Sequence, residues 1–152
     1  MVVKAVRNKK WFAYFPTDYR WSFNTVAAIA GCSSGASDMG EIEQICRNLV
    51  TSVGDDKKWF REWVRMADRL NKKAQSEKKK GHNLTAASFY KRSSNYYQMA
   101  DRFKFPKDKR ALNIYKESIK CFKNFAKLTD SPKLEVVNIP FEKKKKLPAY
   151  FI

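Results

Sequence analysis

The stretch that decides the fold is LTAASFYKRSSNYYQMADRF, residues 84–103. It contains no Gly or Pro, and small and aromatic residues recur along it at intervals of four, three, four and three, the spacing of one helix face. These residues are Ala86, Tyr90, Ser93, Tyr97 and Ala100. A second row repeats at intervals of seven and consists of Phe89, Tyr96 and Phe103. We expect a central helix, because a broad apolar face needs more than one neighbour.

Segments before this stretch predict three further helices. Residues 21–28 place Trp and small residues on one helical face, and a Gly- and Ser-rich loop beginning at Gly31 ends that short helix. Residues 41–53 form an amphipathic helix with acidic residues in its first turn. Gly54 ends this helix, and Asp55 or the next Asp can cap a long third helix.

The segments on either side of residues 84–103 predict different structures. Residues 72–80 carry five Lys and lack an apolar stripe, so we expect this tail to fray into a solvated basic loop that ends at Gly81. After Pro106, Asp108 can cap another long helix. The residues that we expect on its buried side are Ala111, Leu112, Ile114, Tyr115, Ile119, Phe122, Phe125 and Ala126.

The pattern changes after Pro132. Two runs enriched in branched and aromatic residues, 134–141 and 147–152, predict a β-hairpin. Two strands alone are marginally stable and leave both edges unpaired, so the hairpin has the character of the start of a larger sheet. The predicted fold class is mainly α: four to five helices in residues 1–132, followed by a hairpin in residues 133–152.

Composition limits the classes of function. The chain has 152 residues, 43% of them hydrophobic, which suits one folded domain rather than a disordered segment. A formal charge of +17 favours anionic partners: nucleic acid, an anionic membrane surface or an acidic protein. Nucleic-acid binding is disfavoured, because the aromatic residues follow a helical period and the positive charge is spread along the chain. The longest uncharged stretch is too polar for a transmembrane helix.

The cysteines indicate neither a disulfide framework nor a zinc site. Cys32, Cys46 and Cys121 are odd in number and widely spaced, and the sequence has one His, His82. We therefore expect a reducing, cytoplasmic compartment, with no metal and no cofactor.

One motif has the form of a catalytic element. Residues 31–35, GCSSG, match the GxSxG pattern of a hydrolase nucleophile elbow, which needs a strand before it and a helix after it. Here the preceding residues indicate a helix, and His82 lies in a lysine-rich loop. We expect no catalytic role for Ser33 or His82, and no catalytic residue in this chain.

Several segments together are similar to one known family. They are GASDMGEI at 35–42, Gly54-Asp55 with Trp59 and Trp63, Gly81-His82, YKRSSNYYQMAD at 90–101, and the pair IPFE at 139–142 and LPAYF at 147–151. From about residue 19 to 152 the chain resembles the amino-terminal helical region of α/β-hydrolases of the dihydroxypseudooxynicotine hydrolase and fermentation-respiration switch type, often labelled dipeptidyl aminopeptidase or acylaminoacyl peptidase-like. Departures include Ser93 in place of Ala, Asp101 in place of Glu, and lysines 143–146 in place of a short Gly-containing turn.

The resemblance implies a part of a serine hydrolase. In such proteins the helical region is a cap over the catalytic cleft, shapes the acyl or ring pocket and contributes dimer contacts, while the Ser, Asp and His triad lies in a following domain. The expected partners are therefore an α/β-hydrolase catalytic domain and a second copy of the chain. On this interpretation the chain is a truncated product or one part of a split enzyme, inactive alone.

Six residues are candidates for the cap's contacts. Trp59, Trp63, Tyr96 and Tyr97 are candidates for the pocket wall or for contact with the catalytic domain. Arg92 and Asn95 are candidates for polar contacts that fix their helix.

Two other interpretations remain open. One is a small basic helical module that binds nucleic acid or anionic surfaces without chemistry. The other is a self-contained bundle that acts as an interaction protein, although the sequence has no unit repeated at a fixed period.

Overall fold

The structure, a computed structural model, describes residues 14–129 and 133–151. Within these ranges it has five α-helices followed by an antiparallel hairpin, which confirms the predicted fold class. The helices are α1 (Tyr19–Ala30), α2 (Met39–Leu49), α3 (Asp56–Lys79), α4 (Asn83–Asp101) and α5 (Lys109–Lys127). The strands are β1 (Glu135–Phe141) and β2 (Lys145–Phe151). The predicted boundary at Pro132 and the last residue of the predicted hairpin, Ile152, lie outside the described residues.

Four of the described helices are capped by the aspartate that directly precedes their first residue. Each carboxylate accepts a hydrogen bond from the backbone N–H three residues later, at 2.9–3.1 Å, and so satisfies a donor that has no partner within the helix. These caps are Asp18, Asp38, Asp55 and Asp108. The predicted cap at Asp108 is confirmed, and Asp55 rather than Asp56 caps α3.

The prediction of a frayed tail after residue 72 is wrong. α3 continues to Lys79, and Ala74 on this stretch is fully buried. The end of the helix is held by Glu77, whose carboxylate contacts Lys80 Nζ at 2.8 Å and His82 Nδ1 at 2.6 Å. A small buried residue and a local polar cluster therefore replace the large apolar stripe that the sequence prediction required.

α4 packs against α3 on one side and α5 on the other, as expected of a central helix. Two adjacent serines in its middle contact these two neighbours. Ser93 Oγ donates to the carbonyl oxygen of Ala67 in α3 at 2.8 Å, and Ser94 Oγ donates to that of Ser118 in α5 at 2.9 Å. Both serines are buried, so their small side chains let three helices approach closely while their hydroxyls stay hydrogen-bonded.

Aromatic rings form a continuous row through the core. The ring centroids of Trp21 and Trp59 are 5.0 Å apart, those of Trp59 and Trp63 are 5.3 Å apart, and those of Trp63 and Tyr96 are 5.4 Å apart. Phe15 extends the row beyond Trp21 at 5.3 Å. Tilted and edge-on pairs of this kind add about 0.5–1.5 kcal/mol each beyond the area they bury. The row joins α1, α3 and α4 into one body.

The hairpin pairs β1 with β2 in the register Val136↔Tyr150, and the first two of its three turn residues, Glu142 and Lys143, have positive φ. The hairpin meets the bundle where the rings of Phe122 and Tyr150 lie 4.8 Å apart, edge to face. Most of its side chains are exposed.

Every helix within residues 14–129 and 133–151 is too short or too polar to span a bilayer.

The three cysteines are free thiols in very different environments. Burial is the main cause that raises the pKa of Cys46 to about 12 and that of Cys121 to about 11. Cys32 is only partly buried, and its pKa is also raised. The reactive thiolate is therefore disfavoured most strongly at Cys46 and Cys121, where the reagent is also excluded.

We predict that one thiol per chain reacts rapidly with Ellman's reagent at pH 8 and that it is Cys32. The other two should react only in denaturant or at the rate of global unfolding, because the native bundle buries them. Stopped-flow absorbance at 412 nm would measure the phases.

Cys32→Ser should remove the fast phase, whereas Cys46→Ser and Cys121→Ser should leave it unchanged. Loss of the fast phase in Cys46→Ser or in Cys121→Ser would show that the native bundle leaves that thiol accessible to the reagent.

Candidate domain-contact surface

The four aromatic candidates lie in the core of the bundle. Trp59, Trp63 and Tyr96 are fully buried, and Tyr97 is 2% exposed. Their ring contacts and hydrogen bonds among the described residues are with other parts of this chain. The rings therefore face the interior of the bundle. The predicted role of these four residues in a pocket wall or in contact with a catalytic domain stays a prediction.

The polar groups of these aromatic residues are mostly used inside the bundle. Trp59 Nε1 donates to the carbonyl oxygen of Met99 at 2.8 Å, and Tyr97 Oη donates to Asp68 Oδ1 at 2.6 Å. Burial, with the Asp68 hydrogen bond, raises the pKa of Tyr97 well above its usual range. Trp63 Nε1 is buried without a hydrogen-bond partner among the described residues.

Arg92 and Asn95 face the loop between α1 and α2. Arg92 Nε lies 3.0 Å from Glu41 Oε2, with both side chains largely buried. Asn95 Nδ2 donates to the carbonyl oxygen of Ala36 at 3.0 Å and to Ser37 Oγ at 2.8 Å. These contacts join the middle of α4 to the start of α2.

Tyr96 completes this polar cluster. Its hydroxyl donates to Glu41 Oε2 at 2.8 Å and accepts from the backbone N–H of Asp38 at 2.9 Å. Burial, followed by the charge of Glu41, raises the pKa of Tyr96 far above its usual range, so the phenol stays protonated and remains a donor. Lys91 Nζ adds a hydrogen bond to the carbonyl oxygen of Ser34.

The loop itself requires close backbone approach. A Cβ added to Gly31 would lie 3.0 Å from Ser37 Oγ and 3.6 Å from Asn95 Nδ2. A larger residue would therefore push against the hydrogen bonds that Asn95 makes. Two segments that carry the resemblance, 35–42 and 90–101, thus contact each other directly through this cluster, which we call the α4–loop cluster (Ser34, Ala36, Ser37, Asp38, Glu41, Lys91, Arg92, Asn95, Tyr96).

The GxSxG segment lies in a 3₁₀ helix, Gly31–Ser34, that directly follows α1. Ser33 Oγ donates to the carbonyl oxygen of Ala30 at 3.1 Å, and its residue is exposed. His82 instead contacts Glu77 at the end of α3. The structure therefore gives Ser33 neither the strand–turn–helix setting of a nucleophile elbow nor a hydrogen bond to a base.

The described residues contain no group of three or more His, Cys, Asp or Glu side chains arranged to hold a metal ion.

A depression of about 320 Å³ lies between α2 and α3. Three of its polar side chains contact one another: Asn48 Nδ2 donates to Glu62 Oε2 at 3.0 Å, and Arg65 forms an ion pair with the same carboxylate. Ile45 and Met66 form its apolar part. The carboxylate of Glu62 is therefore already occupied, which leaves fewer groups to fix the orientation of a ligand.

α5 is the helix whose burial differs from the sequence prediction. Its fully buried residues are small: Ala111, Ser118 and Cys121. Leu112 and Tyr115, predicted to be buried, are 52% and 54% exposed. The prediction was wrong for these two because α4 approaches α5 along the face of small residues, where three helices fit closely, and the larger apolar side chains turn outward.

Five apolar residues of α5, two of them exposed and three half-buried, form a row at intervals of three, four, three and four, which we call the α5 apolar row. It consists of Leu112, Tyr115, Ile119, Phe122 and Ala126. Sequence reasoning recognised these residues as apolar but missed that two of them, Leu112 and Tyr115, lie more than half exposed at the surface. The usable signal was that α5 has more apolar residues than one helix neighbour can cover.

Two shallow depressions adjoin the α5 apolar row on the side of α4. Their volumes are about 290 and 240 Å³, and both are lined by Gln98 of α4 and Tyr115 of α5. Phe122 and Tyr150 close the second one towards the hairpin. Helices α4 and α5, together with the hairpin, therefore form one concave, partly aromatic surface.

Comparison with known proteins finds three similar proteins that are named as hydrolases. No protein-family model matches the sequence. The chain is 29% identical over 136 residues to the alpha/beta hydrolase xenA of Xenoacremonium sinensis. The aligned segment covers 90% of this chain and 31% of that protein. It is 27% identical over 138 residues to the hydrolase acrC of Aspergillus aculeatus, covering 88% of this chain and 31% of the relative. A third match is the alpha/beta hydrolase ucsC of an Acremonium species, 27% identical over 142 residues, with coverage of 87% and 28%.

These similarities support a relationship with α/β-hydrolases over most of the chain. The chain spans under a third of the length of each of these relatives.

We predict that Tyr96→Phe lowers the free energy of unfolding by about 2 kcal/mol, because it removes a hydrogen bond to a carboxylate and leaves the Asp38 N–H without its acceptor. Urea unfolding followed by tryptophan fluorescence would measure it. Tyr90→Phe is a matched control, since Tyr90 is equally buried in α4 and its hydroxyl makes no hydrogen bond among the described residues. Equal losses in the two variants would contradict a special role for the α4–loop cluster.

We predict that the purified chain shows no hydrolysis of p-nitrophenyl acetate that depends on Ser33. The hydroxyl is hydrogen-bonded to Ala30 and has no base next to it, so Ser33→Ala should leave any background rate unchanged. Spectrophotometric assay of both proteins at equal concentration would test this. Turnover that disappears in the variant would overturn the conclusion.

Proposed function

We propose that this chain is the helical cap region of an α/β-hydrolase of the dihydroxypseudooxynicotine hydrolase and fermentation-respiration switch type. In this proposal α5 and the hairpin pack against a catalytic domain that carries the serine nucleophile. The similarity to named hydrolases supports the assignment, because it extends over most of this chain while leaving most of each relative's length for other elements.

The observation that carries the proposal is the partly exposed α5 apolar row and its contact with the hairpin. Leu112 and Tyr115 are more than half exposed, and Tyr150 of the hairpin, which is 42% exposed, lies edge to face against Phe122 of the row. Adjacent large apolar side chains on a surface mark a region that another protein surface covers. The hairpin adds unpaired strand edges, which can extend into a larger sheet.

The burial of each residue decides which role it has in the proposed cap. Trp59, Trp63, Tyr96 and Tyr97 act in this proposal by holding α3 and α4 rigidly, and Arg92 with Asn95 fixes α4 to the α1–α2 loop. The pocket wall is then formed by residues that the bundle leaves accessible, above all Gln98 and Tyr115 beside the two depressions.

The chemical role of such a cap is to position the substrate and to enclose it. A rigid roof over the catalytic cleft holds the acyl or ring part of a substrate and excludes water from the reacting ester or amide. The nucleophile, its base and the oxyanion donors belong to the catalytic domain in the resembled family. The cap contributes to specificity through the shape of the aromatic depressions.

We predict that the chain forms a one-to-one complex with the part of the Xenoacremonium sinensis hydrolase that lies outside the aligned segment. Co-expression with separate affinity tags, followed by size-exclusion chromatography with light scattering, would detect it. Hydrogen exchange should show new protection of α5 and the hairpin in the complex, but not of the outer face of α3.

The matched variants are Leu112→Asp/Tyr115→Asp and, as a control, Leu84→Asp, which changes a 78% exposed leucine at the start of α4. Burying one large apolar side chain contributes about 1.5–3 kcal/mol, so the double variant should weaken the complex by at least about a hundredfold. Equal binding of the double variant and the control, or no complex between two folded partners, would reject the proposed function.

A further inference from the structure

The outer face of α5 carries a second row beside the apolar one. Five lysines recur at intervals of seven, four, three and four residues, which places them on one side of the helix. We call them the α5 lysine row: Lys109, Lys116, Lys120, Lys123 and Lys127. With a rise of about 1.5 Å per residue, the row extends for about 27 Å.

The two rows lie next to each other along the whole helix. Tyr115, Ile119, Phe122 and Ala126 are each followed directly by a lysine of the second row. Consecutive residues of an α-helix are about 100° apart, so one edge of the apolar row is bordered by ammonium groups from end to end. The opposite edge of the apolar row meets α4 and the two depressions.

The lysine row is poor in internal partners. Glu117 is the only acidic residue in α5, and it lies 3.5 Å from Lys120 in a largely exposed pair, which contributes little. Within the described residues, the other four lysines have no carboxylate within ion-pair distance. The row therefore presents nearly its full positive charge to whatever covers the adjacent apolar residues.

We propose that the occupant of the α5 apolar row is a protein surface that sets carboxylates opposite Lys116, Lys120 and Lys123. The inference rests on the proposed function, and it specifies the chemistry of the partner domain: an apolar ridge with Asp or Glu along one side. Charge complementarity of this kind fixes the register of an interface and rejects wrong partners.

A second copy of the chain fits the same face poorly. Two α5 helices packed through their apolar rows would bring two lysine rows of equal sign to the border of one interface, in a chain with a net charge of +17. Like charges at about 4 Å repel by roughly 1 kcal/mol per pair even in water. An acidic partner converts the same geometry into attraction.

The shape of the face favours a protein over a bilayer or a nucleic acid. The depressions beside Gln98 and Tyr115, of about 290 and 240 Å³, are concave and accept protruding side chains. A lipid surface binds amphipathic helices with one apolar face and a basic polar face, and α5 has this pattern, but a flat bilayer would leave the two depressions unfilled. Nucleic acid would engage the lysines but leave the apolar row uncovered.

The test uses three labelled 18-residue helical peptides and the full-length chain. The first has leucines at helical spacing with glutamates on both borders, the second has the same composition in scrambled order, and the third has lysine in place of glutamate. Fluorescence anisotropy at 0.15 M salt measures binding. We expect the first peptide to bind at least tenfold more tightly than either of the others.

Charge reversal assigns the effect to the lysine row. Lys116→Glu/Lys120→Glu/Lys123→Glu should reverse the preference, so that the lysine peptide binds more tightly than the glutamate peptide. The matched control is Lys57→Glu/Arg61→Glu/Lys72→Glu, which makes the same change of net charge at exposed positions of α3. The control should keep the original order of the peptides, with at most a threefold loss from the reduced net charge.

Four results would overturn the inference. They are equal binding of the ordered and scrambled acidic peptides, equal effects of the two triple variants, tighter α5-dependent binding to anionic vesicles or duplex DNA than to the peptide, and a homodimer that Tyr115→Asp dissociates. These outcomes are separable from failure of the proposed function. If the chain keeps its preference for the acidic peptide but forms no complex with the hydrolase segment, only the assignment of the partner as a catalytic domain is rejected. If the complex forms and the charge-reversed variant binds it equally well, only this inference is rejected.

Discussion

The arrangement of the helices depends on the attachment of α4 to the loop between α1 and α2. Arg92, Asn95 and Tyr96 on one face of α4 hold this loop through Glu41, Asp38 and the Ala36 carbonyl. A buried ion pair alone contributes little net stability, because desolvation offsets the attraction. Here its value is geometric: the Tyr96 hydroxyl and the Arg92 guanidinium contact the Glu41 carboxylate, and the Asn95 amide contacts the preceding loop, which fixes the start of α2 against the middle of α4.

The serines on the other faces of α4 extend this constraint. Ser93 contacts α3 and Ser94 contacts α5 through short hydrogen bonds to backbone carbonyls. Small residues at these positions bring the three helices close together, so α5 uses Ala111, Ser118 and Cys121 for its contact with α4. That close contact is why Leu112 and Tyr115 of α5 remain at the surface. The polar anchoring of α4 and the exposed face of α5 are thus two consequences of the same packing.

The positions of the helices could be read from the sequence because they depend on local interactions. Apolar spacing and Asp caps predicted the elements on either side of Gly54 and after Asp108, and the residues at 84–103 predicted the central helix. The end of α3 was misjudged, since Ala74 has too little apolar surface to register in a pattern and yet is fully buried. The burial of α5 was misjudged because spacing identifies apolar faces without saying which face a neighbour covers.

The sequence by itself determined the mainly α class, the change to a hairpin and the positive charge. Each follows from residue type and short-range spacing, which the chain carries in any conformation. Only the tertiary structure decided that Trp21, Trp59, Trp63 and Tyr96 lie in the core and that Leu112 and Tyr115 lie outside it. Burial is a property of the distance between segments far apart in the chain, and here hydrogen bonds from α4 to residues 24 to 59 positions away set that distance.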